Sequence, residues 1–305
     1  MKRIKYISVF LLTGLILLPS AFTPSTPEIA VKIRKGANLR SISTFLSGVN
    51  IIQDALGFRI LGRITGKSSS LSYGWYKMNL YSNPRNIMKK MVKGERMTVC
   101  VTIPEGLNIE QTLNVLKRNT DIDINRVDSL LRSEEFISEL GITASSIEGY
   151  LFPDTYVFYM SEEPRNVIEK MVSSLFKLIE PDELVKIGNM EMNTHEIITI
   201  ASLIEKEAMV DREKPLISSV IYNRLRRNMR LQIDATILYA IGKHKSRVYY
   251  RDLEVNSPYN TYKHRGLPPG PIANPGYQSI LSAMHPADTD YLFYVATGNG
   301  DHIFT

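Results

Sequence analysis

Cysteine is all but missing from this 305-residue chain, which holds only Cys100. One thiol forms no intramolecular disulfide and no cysteine zinc site. The apolar setting Val99-Cys100-Val101 predicts a buried, inert side chain. Five histidines show no HExxH or other ligand spacing, so neither metal nor cofactor is expected. Gly-rich phosphate loops and nucleic-acid motifs are missing as well. The net charge of +6 is scattered over groups such as Lys89/Lys90/Lys93 and Arg224/Arg226/Arg227/Arg230, which reads as solvated surface rather than a nucleic-acid face. Without GxSxG or another nucleophile elbow, a Ser/His/Asp hydrolase has no support. No low-complexity tract interrupts a composition of 44% hydrophobic and 22% charged residues, so folded structure is expected nearly throughout.

The N-terminus carries an address. Lys2, Arg3 and Lys5 precede an uncharged stretch from Tyr6 to Pro27, apolar from Ile7 to Leu18. That core is short against the roughly 20 apolar residues of a full span. Pro19-Ser20-Ala21-Phe22 is also a poor small-x-small cleavage site. A cleaved leader and a short uncleaved anchor both stay open; we favour a single-pass anchor and short linker over 1–27, with the remaining chain outside the cytoplasm.

Farther along, Ile33-Arg34-Lys35-Gly36-Ala37-Asn38-Leu39 is echoed by Ile103-Pro104-Glu105-Gly106-Leu107-Asn108-Ile109. Each copy reads as strand, glycine turn and amphipathic helix, which implies two related modules. The first closes with a helix through Ile87, Met88, Met91 and Val92 that Gly94 ends. A strand over 97–103 opens the second, and helical patterns follow over 108–119, 125–140 and 164–179. The stretch 193–241 reads as three helices, opened by an Asn193/Glu196 cap and by Pro215. Beyond Gly242 the chain is turn-rich, with a short helix ending at Met284 and strand-like alternation over 291–297. The expected class is α+β, divided as 1–27, 28–99 and 100–305.

Chemistry is most strongly signalled at 195–209, HEIITIASLIEKEAM. At 100° per residue, Ile197, Ile198, Ile200, Ala201, Ile204 and Ala208 share an apolar arc. His195, Glu196, Thr199, Ser202 and Lys206 lie opposite. Glu205 falls between the directions of Ile197 and Ile198, toward packed protein. Burial there would raise its pKa and suit it to general-acid work. Glu207 lies near the other edge of the same arc, so periodicity does not choose between them. A plainer reading also stands, in which both are rim residues paired with Lys206, Arg212 or another cation. The acid reading expects Glu205 to be partly buried, short of a cation partner, and open to a groove lined by 148–156 and 257–262.

Aromatic and polar clusters accompany it. Residues 148–156, EGYLFPDTY, and 257–262, SPYNTY, supply stacking platforms, hydroxyls and an amide, an inventory that suits a carbohydrate groove as well as ordinary structural turns. Gln232 and Asp234 of RLQID, and Asn223 and Arg224 of SVIYNRL, are equally ambiguous between ligand contact and helix capping.

Taken in order, EGYLFPDTY, ASLIEKEA, SVIYNRL, RLQID, SPYNTY, GLPPGPIANPG and HPADTDYLFYVA resemble the MltG/YceG family of endolytic lytic transglycosylases over most of 100–305. The resemblance implies a membrane anchor near 4–22, a LysM-like module at about 31–99 and an extracytoplasmic catalytic domain acting on peptidoglycan. It makes the first glutamate of EKE, Glu205, the catalytic acid. Tyr150, Gln232, Ser257, Tyr259 and Asn260 become substrate-groove residues, while the glycines and prolines of 266–276 shape the groove. Partners implied are peptidoglycan glycan strands, the cytoplasmic membrane and peptidoglycan synthases. The family usually continues past its HxF element, whereas this sequence stops at His302-Ile303-Phe304-Thr305. Two other readings remain at this point, a non-catalytic glycan-binding scaffold and a hydrolase that leaves reducing ends.

Overall fold

A computed structural model of the chain describes residues 27–181, 184–242, 247–298 and 300–305. Apart from Pro27, the expected anchor lies outside these residues. Among them, eleven α-helices and four two-stranded antiparallel sheets make an α+β protein. No helix among the described residues is long and apolar enough to cross a membrane. The chain divides between Glu95 and Arg96 into two compact units, each with its own core.

The first unit runs β1 (Glu28–Ile33), α1 (Leu39–Gly48), α2 (Ala55–Ile64), β2 (Gly74–Asn79) and α3 (Pro84–Lys93). β1 and β2 pair from Glu28↔Asn79 to Ile33↔Gly74. Periodicity did not anticipate α2, because Gly57 and Gly62 interrupt its apolar pattern. Asp54 nonetheless starts it by accepting from the Leu56 N–H. Gly94 ends α3 in a left-handed conformation, as expected.

The second unit opens with the same plan plus one helix. It comprises β3 (Thr98–Thr102), α4 (Ile109–Asn119), α5 (Ile124–Leu131), α6 (Glu134–Glu139), β4 (Thr155–Tyr159) and α7 (Pro164–Leu175). The sequence echo is structural. Gly36 and Gly106 turn the chain with φ of 78° and 72°, and Asn38 and Asn108 then cap α1 and α4. Later positions match too: the Tyr76 and Tyr156 hydroxyls donate to the Ser72 and Phe152 carbonyls, and Lys90 and Lys170 donate to those of Lys77 and Val157. Two expectations fail here. The helix expected over 125–140 is two, because Ser133 accepts from the Phe136 N–H and starts a new one. Cys100 is exposed rather than buried; side chains alternate along β3, so Val101 points inward and Cys100 does not.

A hairpin, β5 (Leu184–Ile187) and β6 (Met190–Asn193), feeds α8 (Thr194–Glu207). The Asn193/Glu196 capping box forms as predicted. From Ile197 to Ile204 every residue of α8 is buried, including Thr199 and Ser202 on the side expected to be polar. Their hydroxyls are satisfied inside the helix, on the His195 and Thr199 carbonyls. Each isoleucine sealed this way contributes about 1.5–3 kcal/mol. Around α8 lie α9 (Lys214–Arg226), opened by Pro215, α10 (Asp234–Ile241) and α11 (Tyr277–Met284). A final hairpin joins β7 (Tyr294–Ala296) to β8 (His302–Phe304).

Both asparagine side chains accept an N–H of the first turn, and Asn108 also has its own N–H taken, by Gln111 at 3.0 Å. Asn108→Ala and Asn38→Ala should each cost about 1 kcal/mol in urea unfolding. Gln111→Ala removes the reciprocal bond and keeps the Asn108 cap, and should cost roughly 0.5 kcal/mol; no loss there would show that the reciprocal bond adds nothing.

Candidate active site

Glu205 lies in the last turn of α8, directly after its sealed core, with its side chain 10% exposed. One oxygen, Oε2, does nearly all the bonding. It accepts the Gly276 N–H at 3.1 Å and the Ser279 hydroxyl at 2.6 Å. Gly276 is the N-cap of α11, so the carboxylate sits at the positive end of that helix. Lys214 Nζ stands 3.6 Å from the same oxygen, buried to 6% exposure. Oε1 takes no hydrogen bond among the described residues, which leaves it for an incoming ligand.

This corrects two expectations. Glu205 does have a cation neighbour, although 3.6 Å is long for a charged hydrogen bond and Lys214 lies closer to Asp211, at 2.9 Å. Burial works to lower the Lys214 pKa, but Asp211, Glu205 and Glu105 outweigh it and leave it raised, so the ammonium stays charged. The surroundings of Glu205 also differ from those expected. They come from Gly106, Lys214, Gly276 and Ser279 rather than from 148–156 and 257–262.

Glu207, which periodicity could not separate from Glu205, has a different environment. It accepts the Tyr294 hydroxyl at 2.9 Å and the Ala235 N–H, and burial raises its pKa. Its oxygens are thus committed to the C-terminal hairpin and to α10. Glu148 is a third buried carboxyl, pushed up to about 7 by burial against the Ile109 N–H, the Tyr239 hydroxyl and the Gly149 N–H. That value alone would suit a general acid. At 5% exposure, with Oε1 on Ile109 and Oε2 on Tyr239, it instead fastens α4 to α10.

The expected groove residues separate into two groups. Tyr150 is 2% exposed, with its hydroxyl 3.0 Å from His195 Nδ1. His195 is ten residues before Glu205, about 15 Å along the helix, and the void beside this pair is only ≈ 10 Å³. Tyr150 therefore packs the far end of α8. Asn260 is fully buried, its amide donating to the Leu253 and Val255 carbonyls, and it holds a turn. Ser257 is half-buried and accepts the Tyr259 N–H, while the Tyr259 ring lies 4.9 Å from Tyr239. Gln232 is the exposed one, held at φ 53°. Its N–H donates to the Thr261 carbonyl, Ile233 N–H to Thr261 Oγ1, and Tyr262 to Asp234. RLQID and SPYNTY are thereby joined, and Gln232 is displayed in a conformation that costs a non-glycine residue energy. Asn223 and Arg224 serve structure, bridging the Thr289, Tyr291, Leu292 and Leu231 carbonyls.

Sequence reasoning missed Lys214, Ser279 and Glu105, and took Gly276, against which the Glu105 carboxyl lies, only as one of the groove-shaping glycines of 266–276. Lys214 had left a signal, because a lysine just before Pro215 is the wrong charge for a helix N-terminus. Ser279 left none, being 74 residues from Glu205.

A carboxyl pinned at a helix terminus beside a buried ammonium, with one oxygen unbound, is a candidate acid–base site on an α+β scaffold. The chain belongs to the YceG-like family, whose model matches residues 31–305. The endolytic murein transglycosylase of Bacillus subtilis (strain 168) is 35% identical over 314 residues, covering 96% of this chain and 86% of that protein. Its namesake in Streptococcus pneumoniae serotype 2 (strain D39 / NCTC 7466) is 31% identical over 89% of this chain, which spans 55% of that longer protein. The crystal structure of a yceG-like protein from Listeria monocytogenes matches with TM-score 0.58 and 34% identity, over 92% of this chain and 97% of that one.

Because Glu148 titrates higher folded than unfolded, its neutral form favours the fold. That contribution is complete below the ordinary carboxylate value of 4.5 and is lost as pH rises through about 7. Stability should therefore fall between pH 5 and pH 8 by up to roughly 3 kcal/mol from this group. Glu148→Gln should remove that part of the slope in chemical unfolding, and an unchanged slope would show that the group titrates normally.

Proposed function

We propose that this chain is an endolytic murein transglycosylase that cleaves the MurNAc-β-1,4-GlcNAc bond within glycan strands without water. The observation that carries the reading is Glu205, with Oε2 anchored by Gly276, Ser279 and Lys214 and Oε1 left unbonded. Protonated, Glu205 would donate to the leaving O4 of GlcNAc as the C1–O4 bond breaks. As carboxylate it would then take the proton from the MurNAc C6 hydroxyl, whose oxygen bonds to C1 and closes a 1,6-anhydro ring. Atoms balance without water, and Glu205 ends as it began. One residue acts as acid and then base, unlike the two-carboxylate scheme of hydrolytic glycosidases. The MurNAc N-acetyl group would assist at the oxocarbenium-like centre. Gln232, Ser257 and Tyr259 are the groove residues we retain from the sequence reading.

We read the first unit as a LysM-like glycan-binding module. Two helices lie between its paired strands, and an open groove of about 440 Å³ is lined by Asn38, Arg40, Arg59, Arg63 and Ser68. The apolar stretch at 7–18 would hold the protein on the outer face of the cytoplasmic membrane, where it would limit nascent strand elongation beside peptidoglycan synthases.

Glu205→Gln keeps an acceptor for Gly276 and Ser279 but loses the transferable proton, so cleavage should drop by at least about 100-fold with folding retained. Mass spectrometry of digested glycan strands gives the check, because a 1,6-anhydro end is lighter than a reducing end by one water. Reducing ends from the wild type would replace this reading with hydrolysis. Binding of strands without any cleavage would leave a scaffold.

A further inference from the structure

The two copies of the strand–turn–helix unit part company at one chemically important position. In the first copy the turn reads Arg34-Lys35-Gly36, and Gly36 faces open space. In the second it reads Pro104-Glu105-Gly106 and is built into the active site. The Gly106 N–H donates to the Asn274 carbonyl at 2.9 Å, and the Asn274 N–H returns a bond to Leu107 at 2.8 Å. Lys206 Nζ donates to the Gly106 carbonyl at 3.2 Å. A side chain on Gly106 would lie 3.6 Å from Glu205 Cγ. A lysine in the free copy has thus become a glutamate in the copy that meets the acid.

Gly276 shows how close that glutamate comes. Its φ of −80° is open to any residue, so backbone freedom does not explain the glycine. A Cβ there would overlap the Glu105 carboxyl, whereas the Gly276 N–H already serves Glu205. The two carboxyls flank one glycine.

We propose that Glu105 is a positioning carboxylate of the active site, facing Glu205 across Gly276 and opposing the charge of Lys214 beside the acid. This deepens the transglycosylase reading and rests on it. The charged groups around Glu105 are Glu205 and Lys206 at the end of α8, Asp211 in the turn before α9, and Lys214 on α9. Lys214, the α11 terminus and the Ser279 hydroxyl all act on Glu205 Oε2. Asp211 is 72% exposed, so water screens much of its effect on the buried ammonium. Glu105 is the remaining negative group at the site. At Glu105 itself burial raises the pKa first, and the charge of Glu205 raises it further. No bond to Glu105 forms or breaks in the reaction; it acts through its charge.

The test is kcat and KM of the full-length protein on glycan strands from pH 5 to 9, scored by 1,6-anhydro ends. Glu105→Gln should move the basic limb of the kcat profile down by about one pH unit, a loss of about tenfold above that limb, with the acid side and KM unchanged. Glu105→Lys, which installs the first copy's residue, should move it farther, and Glu105→Asp should restore most of the wild-type profile. Superimposable Gln and wild-type profiles would overturn the proposal. So would a uniform loss at every pH with raised KM, which marks substrate contact or simple support. Glu205→Gln in the same assay separates the two claims. Activity there defeats the acid itself, whereas an inactive Glu205→Gln beside an unmoved Glu105→Gln profile defeats only the role of Glu105.

Discussion

The bond between Glu205 Oε2 and the N-terminus of α11 organises the proposed active site. Gly276 and Ser279 both reach that oxygen, tying the end of α8 to the start of α11. The connection needs the preceding loop in place, and polar groups put it there. Ser202 accepts the Ile272 N–H, His195 meets the Pro269 carbonyl at the surface, and the Asn274 amide bridges Leu151 and Thr112. Ser202 and Asn274 are fully buried and costly to leave unpaired, so the loop has few alternative positions. The run GLPPGPIANPG is therefore a strap laid along α8, with its far end carrying the donor for the acid.

Three carboxyls near this core show why burial alone does not identify a catalytic group. Glu148 is buried and Glu207 half-buried, and desolvation pushes each toward the neutral form. Their oxygens, however, are occupied by protein donors that hold elements together. Glu205 differs in what is left over, one anchored oxygen and one unbonded. The C-terminal hairpin supports this arrangement from the other side. Tyr294 engages Glu207, and His302 pairs with Glu213 through its ring and its backbone N–H, fixing the turn that delivers Lys214.

Duplication accounts for much of the remaining architecture. The same strand, glycine turn and asparagine-capped helix appear in both units, and equivalent tyrosine and lysine side chains tie down the second strand in each. In the first unit Gly36 of the turn faces open space. The second has its turn hydrogen-bonded to the strap at Asn274, so a local motif has become a wall of the proposed active site.

Local signals in the sequence were enough for the α+β class, the repeated module, the Asn193 cap, the helix opening at Pro215 and the helix end at Gly94. All depend on contacts within a few residues, where spacing and side-chain chemistry suffice. The ordered motifs also pointed to Glu205, the acid of the proposed function. Helical spacing misjudged Thr199 and Ser202, because burial depends on what packs against a face and not on its polarity alone, and the apolar neighbours of Cys100 misjudged that thiol, because strand side chains alternate. Tertiary structure alone decided what surrounds Glu205. Gly276 and Ser279 arrive from more than seventy residues away, Glu105 from a hundred residues before it, and Lys214 from the next helix. Folding brings these groups together by packing distant elements, and no periodicity within the chain encodes that meeting.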